Sequence, residues 1–226
     1  MQTLIDIKES FAKIPLFTGI SDEIAGQLSQ FVRRSSYKKN TVILREDERS
    51  SNLYIIVRGE VRTSITSQDG REHILSIHRK NEFFNEGSLV GEKNQPINAI
   101  AVRDTDVFFF NRRDFLNFLS KNPYLYERLV EQLIFRLQKA ARQESSLALF
   151  DVSGRVARFL MDLAMEEGEK TEGGVIVITR PTQQEIALRI STTRESVSRA
   201  LKEMENNGLI KVRGKRIILL KRDATY

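Results

Sequence analysis

The chain has 226 residues, with 36 lysines and arginines against 30 aspartates and glutamates, which gives a formal net charge of +6. This length allows one large or two modest domains, and the mild positive excess suits a polyanionic partner without requiring one. The absence of cysteine excludes disulfides and thiolate-held metals or iron–sulfur clusters. The sequence contains neither an apolar run of the roughly 18 residues that span a membrane nor a signal-peptide pattern. We therefore expect a cytoplasmic protein with no membrane partner.

The N-terminal part of the chain is expected to start with helices and to change to strands near Tyr37. Ser21 precedes two acidic residues and is typical of an N-cap, here for a helix that runs to Phe31. Strand-like apolar segments then follow at 41–44, 53–57, 60–65, 73–77, 97–102 and 107–110. Gly59 and Gly70 mark turns between them. Several short strands at close spacing predict an antiparallel sandwich or barrel.

Two helices are predicted after these strands, a short one over 112–120 and a long one that starts at Pro123 and ends near 149. In the long helix, apolar residues step by four and three, as in a coiled coil. This predicted seam consists of Tyr126, Val130, Leu133, Leu137 and Ala140. Other faces of the helix are apolar too, whereas a surface helix needs only one apolar stripe. The pattern favours packing on the helix's own barrel and on a second copy of the chain; the alternative is a helix fully buried in a monomer.

A second domain is expected after Phe150, where the helical pattern is interrupted. Asp151 or Ser153 can cap the next helix, over 154–166, and a glycine-containing loop and a strand over 175–178 follow. Residues 182–185, Thr-Gln-Gln-Glu, have the form of a capping box and open a short helix. A tight turn at 191–193 leads to a second helix from Arg194, which ends before Gly208. A basic hairpin over 209–220 completes a winged helix-turn-helix.

The second helix of this motif carries a polar face opposite its buried stripe. That face consists of Arg194, Glu195, Ser198 and Arg199. An α-helix fits the major groove of B-DNA, where arginine can pair with guanine and glutamate can accept from cytosine. The alternative is an ordinary solvent-exposed helix face whose charged residues only pair with one another at i,i+4 spacing. The caps, the turn and the basic hairpin together favour double-stranded DNA as the partner, with phosphate contacts from Thr182, Thr193, Lys211, Arg213, Lys215 and Arg216.

The segment 193–199, Thr-Arg-Glu-Ser-Val-Ser-Arg, is a specific motif, and the segments 14–17 and 149–156 support it. On these motifs the chain resembles, over nearly its whole length, the bacterial Crp/Fnr family of transcription regulators. The resemblance implies an α+β fold: an N-terminal antiparallel β-roll sensor of cyclic-nucleotide-binding or cupin type over 1–122, a dimerisation helix over 123–150 and the winged helix-turn-helix over 151–226. It also implies a homodimer that reads an inverted repeat of TGTGA-like half-sites and contacts RNA polymerase. Ser198 resembles the Fnr branch instead, which leaves the outermost bases open.

The effector pocket departs from the pattern that the resemblance implies. Cyclic-nucleotide binders of the family hold phosphate and ribose with a Gly-Glu-Leu segment and a downstream Arg-Ser-Ala. Here the matching segments are Asn85-Glu86-Gly87, followed by Ser88, and Gln95-Pro96-Ile97, while Ala140 and Ala141 replace an adenine-contacting Thr-Ser pair. Pro96 removes a backbone donor, and losing an arginine–phosphate bond costs about 1.5–3 kcal/mol. We therefore expect an unidentified effector or none, and not cyclic AMP.

Other chemistry in the chain is sparse. Some relatives hold haem through a histidine near this part of the roll, so His78 is a candidate axial ligand, against the plain reading of a barrel histidine. The sequence contains no nucleophile–base pair, metal cluster or glycine-rich phosphate loop, so we predict no catalytic residue, no metal and no cofactor. A different class of function also stays open: a sensor or regulatory module whose C-terminal domain contacts protein. Salt-sensitive binding to duplex DNA separates the two classes, because phosphate contacts release counterions.

Overall fold

The computed structural model of the protein describes residues 10–46, 48, 50–70, 72–91, 97–171 and 176–220. The chain divides into two compact units, Met1–Leu137 and Gln138–Tyr226. Both units combine helices with antiparallel sheets, so the fold class is α+β, as predicted. In the described part of the chain, no helix is both long enough and apolar enough to cross a membrane.

The N-terminal unit contains eight strands among its described residues. They are β1 (Arg33–Tyr37), β2 (Val42–Leu44), β3 (Asn52–Arg58), β4 (Val61–Thr66), β5 (Glu72–His78), β6 (Phe83–Phe84), β7 (Asn98–Ala101) and β8 (Thr105–Asn111). They form two antiparallel sheets, with the orders β1-β8-β3-β6 and β2-β7-β4-β5. Because β3 and β4 follow each other but belong to different sheets, the chain crosses between the sheets as a β-roll requires.

All the strands predicted from the sequence are present, with ends shifted by one or two residues. The predicted helical character up to residue 36 is wrong for its last part, because Arg33–Tyr37 forms β1 at the edge of the first sheet. The segment has no apolar alternation; it pairs antiparallel with β8 along its backbone, and polar side chains add contacts to that pairing. Ser36 Oγ donates to Asp106 Oδ1 at 2.5 Å, and Arg34 lies 3.3 Å from the same carboxylate.

Asp106 is a nearly buried carboxylate on β8, with a side chain 10% exposed. Besides Ser36 and Arg34 it receives a hydrogen bond from Arg58 Nε at 2.9 Å. Burial by itself raises the pKa of Asp106, but the Ser36 hydrogen bond and the charges of Arg34 and Arg58 outweigh it and hold the pKa below its ordinary value. The ionised carboxylate therefore joins the three strands β1, β3 and β8.

An aromatic core joins the roll to the segments before and after it. Phe11 lies edge-on to Phe17 and to Phe108, with ring centroids 5.4 and 5.5 Å apart, and Phe110 and Phe115 extend the cluster. The helices around this core are α1 (Asp22–Ser29), capped by Ser21, and α2 (Arg112–Lys121). Offset and edge-to-face rings of this kind add to the free energy gained by burial alone.

Gly59 is required at the turn between β3 and β4. Its φ is +93°, and a Cβ added there would lie 2.4 Å from Thr105 Oγ1 and 2.6 Å from the Asp104 carbonyl oxygen. Both the backbone conformation and the close approach therefore exclude a side chain.

The long helix α3 (Tyr124–Leu149) begins in the N-terminal unit and ends in the C-terminal one. Leu125 and Leu129 are buried in the core, and Leu133, predicted on the seam, packs against the same core. Leu133 follows Leu129 on the same helix face, because residues four apart share a face, so this residue of the predicted seam is already partly covered within its own chain. The apolar residues that stay at least 39% exposed on α3 include Tyr126, Val130, Ile134 and Leu137. Ile134 is exposed and Leu133 is half-buried, and the predicted seam itself stays a prediction.

The C-terminal unit packs three helices on one small sheet. Its elements are α4 (Val152–Glu167), β9 (Glu169–Lys170), β10 (Ile176–Thr179), α5 (Gln183–Arg189), α6 (Arg194–Asn206), β11 (Ile210–Arg213) and β12 (Arg216–Leu219). Asp151 caps α4 by accepting from the Gly154 amide at 2.8 Å, so Asp151 and not Ser153 is the cap. The sheet order is β11-β12-β10-β9, and the core lies between this sheet and the helices.

Candidate nucleic-acid interface and effector pocket

Local capping positions α5 and α6 as a helix-turn-helix. Thr182 Oγ1 accepts from the Glu185 amide at 3.1 Å and opens α5, and Thr193 Oγ1 accepts from the Ser196 amide at 3.2 Å and opens α6. Ser191 takes a left-handed φ of +51° in the turn between the helices. Ala187 and Val197 are buried, which lets the two helices pack closely. The capping and the turn agree with the sequence prediction.

The exposed face of α6 carries the residues predicted to read bases. Arg194, Glu195 and Arg199 are exposed and Ser198 is half-buried, whereas Val197 is buried on the opposite face. The four polar residues and Val197 lie on the two helix faces that the helical period predicted. A groove of about 400 Å³ runs along this face, lined by Gln183, Arg194, Glu195, Ser198, Arg199 and Lys202. Gln183 and Lys202 are additions to the set predicted from the sequence.

The hairpin of β11 and β12 forms the wing, and its basic residues point to solvent. Lys211, Arg213, Lys215 and Arg216 are all exposed. None of these four forms an ion pair with a carboxylate in the part of the chain that the structure describes. The wing is anchored to α6 by Glu205 Oε1, which accepts from the Val212 amide at 2.8 Å.

A second concave surface lies between the wing and the start of α5. Its volume is about 610 Å³, and it is lined by Arg180, Pro181, Thr182, Gln183, Gln184, Arg194, Gly214 and Lys215. Three of these lining residues are cationic and none is a carboxylate. The Arg180 amide donates to the Lys215 carbonyl oxygen at 2.9 Å, which holds the wing against this surface. Sequence reasoning missed Arg180, although its place directly before Pro181 and the α5 cap could have indicated it.

In the N-terminal unit, the predicted effector loop, residues 85–88, is held to α3 by an ion pair. Glu86 Oε1 lies 2.8 Å from Arg136 Nη1, so the Glu86 carboxylate has a partner on α3. The Arg136 guanidinium lies 3.9 Å above the Phe83 ring and donates to the Phe83 carbonyl oxygen. Arg136 was not predicted as a pocket residue, because 50 residues separate it from Glu86.

The neighbouring loop residues are buried and partly unsatisfied. Asn85 has a left-handed φ of +66° and donates to the Asn52 carbonyl oxygen at 2.8 Å. Asn85 Oδ1 and Ser88 Oγ are buried and have no hydrogen-bond partner within the described residues. Gly87 and Ser88 belong to the short 3-10 helix Glu86–Val90 that follows Asn85.

No contact within the described residues joins the remaining predicted pocket residues to this loop. Gln95 and Pro96 lie outside the described residues. Ala140 and Ala141 are exposed on the part of α3 that belongs to the C-terminal unit.

His78 lies on β5 and is buried inside the roll. Its Nε2 is 3.1 Å from Thr63 Oγ1, and its ring lies 5.8 Å from that of Phe84. A ring nitrogen held by a hydroxyl group is the arrangement expected of a barrel histidine. The two interpretations of His78, a haem ligand or an ordinary barrel histidine, both stay predictions.

Comparison with known proteins identifies relatives along most of the chain. A family model for the cyclic nucleotide-binding domain matches residues 34–122, and one for the Crp-like helix-turn-helix domain matches residues 154–224. The cAMP-activated global transcriptional regulator CRP of Pasteurella multocida is 32% identical over 81% of this chain and 88% of its own. The CRP-like cAMP-activated global transcriptional regulator of Mycobacterium tuberculosis is 28% identical over 93% of this chain and 94% of its own. A solved CooA variant from Carboxydothermus hydrogenoformans matches with a TM-score of 0.78 and 26% identity, over 89% of this chain and 88% of that one.

Proposed function

We propose, since the chain belongs to the Crp/Fnr family of transcription regulators, that it is a homodimer which reads an inverted-repeat operator through α6. The family places a DNA-binding helix-turn-helix behind an effector-binding domain, and both domains are present here. The observation that carries the proposal is the exposed polar face of α6 beside a cationic surface without carboxylates. We include RNA polymerase as a partner, because the family's function is transcription regulation.

Base reading is assigned to Arg194, Glu195, Ser198 and Arg199, which share the groove along α6. Arginine suits guanine O6 and N7, and a glutamate suits cytosine N4, as a TGTGA-like half-site requires. Phosphate contacts are assigned to the two capping threonines and the wing cations, since these lie outside that groove. They are Thr182, Thr193, Lys211, Arg213, Lys215 and Arg216.

Binding-site selection with the full chain, followed by affinity measurements across a salt series, tests this assignment. We expect an inverted repeat and a linear fall of log K with log salt. Lys215→Ala should weaken all sequences about equally and lower the salt slope by about one. A protein that selects no sequence, or whose duplex binding ignores salt, would favour the alternative in which the C-terminal domain contacts protein.

Dimerisation is assigned to the exposed apolar row of α3, which consists of Tyr126, Val130, Ile134 and Leu137. An apolar row on a helix that already buries another face in its own core needs a further surface to cover it. A two-fold dimer then sets the operator half-sites about 34–36 Å apart, as in other dimeric helix-turn-helix proteins, a family relative among them.

Cyclic AMP is proposed not to be the effector, although the relatives in P. multocida and M. tuberculosis are named as cAMP-activated. The sequence has Gln95 where the family's phosphate-binding arginine is expected, and Ala140 and Ala141 where the Thr-Ser pair is expected. Two further observations support the proposal: Arg136 is engaged by Glu86, and the Asn85 side chain is turned into the protein.

Thermal unfolding with millimolar cyclic AMP or cyclic GMP, beside operator binding with and without each nucleotide, tests the effector proposal. A ligand at a hundred times its Kd adds about 2.7 kcal/mol to the apparent stability, and we expect no such shift. A shift of several degrees together with tighter operator binding would contradict the proposal. Without a shift, nanomolar operator binding by the free protein indicates a constitutively competent form, and weak binding indicates another effector.

A further inference from the structure

We propose that Gln183 is a positioning residue for base recognition, and that it acts by fixing the direction of the Ser198 hydroxyl group. This inference rests on the proposed DNA-binding function and adds a residue from outside the recognition helix. Gln183 is the first residue of α5, and its side chain reaches across to α6.

The position of Gln183 suits this role. It is half-buried and lines both concave surfaces, the one along α6 and the one beside the wing, and Arg194 lines both as well. Its Nε2 faces Ser198 Oγ at 3.5 Å, about 0.3 Å beyond the usual 2.7–3.2 Å range of N–H···O hydrogen bonds, so a small side-chain movement completes the bond. Ser198 is the residue of the reading face that departs from the cyclic-AMP receptor branch of the family. A residue that orients the Ser198 hydroxyl group therefore affects recognition of the outermost bases of the half-site, which the resemblance does not specify.

The direction of the hydrogen bond determines which bases suit Ser198. A serine hydroxyl has one O–H donor and two acceptor lone pairs. When the Gln183 amide donates to the oxygen, one lone pair is used and the O–H is left to donate into the groove. In the major groove, acceptors are offered by thymine O4, by guanine O6 and N7 and by adenine N7, whereas cytosine offers its N4 amino donor. Ser198 should therefore disfavour cytosine at the base it faces.

The informative change is Gln183→Glu, because a carboxylate only accepts. The Ser198 O–H would then donate to Glu at position 183 and present a lone pair to the groove. Preference at one position of each half-site should move toward the amino groups of cytosine and adenine, by about fivefold to tenfold, the low end of the range for a good bidentate contact. Ser198→Ala identifies that position, since it should remove the preference there. Adding Gln183→Glu to Ser198→Ala should change nothing further at that base.

Gln184→Glu is the matched control. Gln184 is the exposed neighbour on the same turn, it lines only the surface beside the wing, and the substitution adds the same charge near the phosphates. It should weaken all sequences alike and leave the base preference unchanged. Thermal unfolding of each variant shows whether α5 keeps its fold.

Binding-site selection on the full-length wild type and these variants separates the failures. A wild type that selects no operator contradicts the proposed function itself. A wild type that selects an operator, with Gln183→Glu and Gln184→Glu giving the same preferences, overturns the inference and leaves base reading by α6 standing. A wild-type preference for cytosine at the position that Ser198→Ala identifies also overturns it.

Discussion

Replacing Ile134 by aspartate should separate the protein into monomers without unfolding it. Ile134 is 50% exposed in the single chain, between Val130 at 50% and Leu137 at 70%. Its side chain is outside the core of the N-terminal unit, whose α3 contacts are made by Leu125, Leu129 and Leu133. A charge at position 134 should therefore weaken the contact that the exposed row makes with a second copy of the chain, and should leave the β-roll folded.

The magnitude follows from the exposed fraction. Burying a whole isoleucine side chain is worth about 1.5–3 kcal/mol, so covering the exposed half of Ile134 is worth about 1 kcal/mol per protomer. A two-fold interface contains the residue twice, and each aspartate carboxylate loses hydration at a cost above the roughly 1–3 kcal/mol of a neutral polar group. The total is therefore at least about 4 kcal/mol, which raises the dissociation constant by about a thousandfold or more.

Light scattering and sedimentation from nanomolar to tens of micromolar protein would measure this change. The wild type should be a dimer whose melting temperature rises with protein concentration, and Ile134→Asp a folded monomer with a lower, concentration-independent melting temperature and weak operator binding. Arg128→Gln is the matched control, because it changes the net charge equally and loses only the exposed pair with Glu131 at 3.1 Å. A monomeric wild type at micromolar concentration, or a dimeric Ile134→Asp, would refute the assignment of the row.

Three further changes test other parts of the structure. Glu195→Ala should relax specificity at one half-site position by roughly 1–3 kcal/mol in a binding-site selection, and an unchanged consensus would contradict the groove assignment. Since the pKa of Asp106 is lowered, its stabilisation is complete above the unfolded value of about 3.9 and is lost as the pH falls through the lower folded value. Melting temperatures from pH 7 to pH 3 should therefore fall more steeply for wild type than for Asp106→Asn. Gly59→Ala should destabilise the roll by more than 1 kcal/mol in denaturant unfolding, because of its positive φ and its contact with Thr105; a neutral effect would contradict the close approach.

The features that could be predicted from the sequence are those fixed by residues close together in the chain. Thr182, Thr193 and Asp151 each accept from an amide three residues later, so their caps are readable without a structure. The strands could be predicted for a similar reason, because apolar residues line them and turn residues separate them. The helix-turn-helix and its polar face followed from the same local signals.

The features that could not be predicted depend on partners far away in the chain. β1 is a strand because it pairs with β8, whose Asp106 lies 70 residues from Ser36 in the chain and accepts its hydrogen bond. The placement of Leu133 depends on how α3 lies on the core, and both candidate rows are apolar in the sequence. Gln183 is 15 residues from Ser198, and nothing in the helical period of α6 points to it.

The pair of Arg136 and Glu86 decides how the effector loop would respond to an anion. A phosphate at the guanidinium would compete with the carboxylate for it, and 25% of the Arg136 side chain and 33% of the Glu86 side chain are exposed. Such an exchange replaces one charge-assisted hydrogen bond by another of similar strength, so by itself it provides little net binding free energy. A nucleotide would need a second cation for useful affinity, and the sequence has a glutamine where the family's arginine is expected. The ion pair and the missing arginine therefore lead together to the expectation of an effector other than cyclic AMP or none.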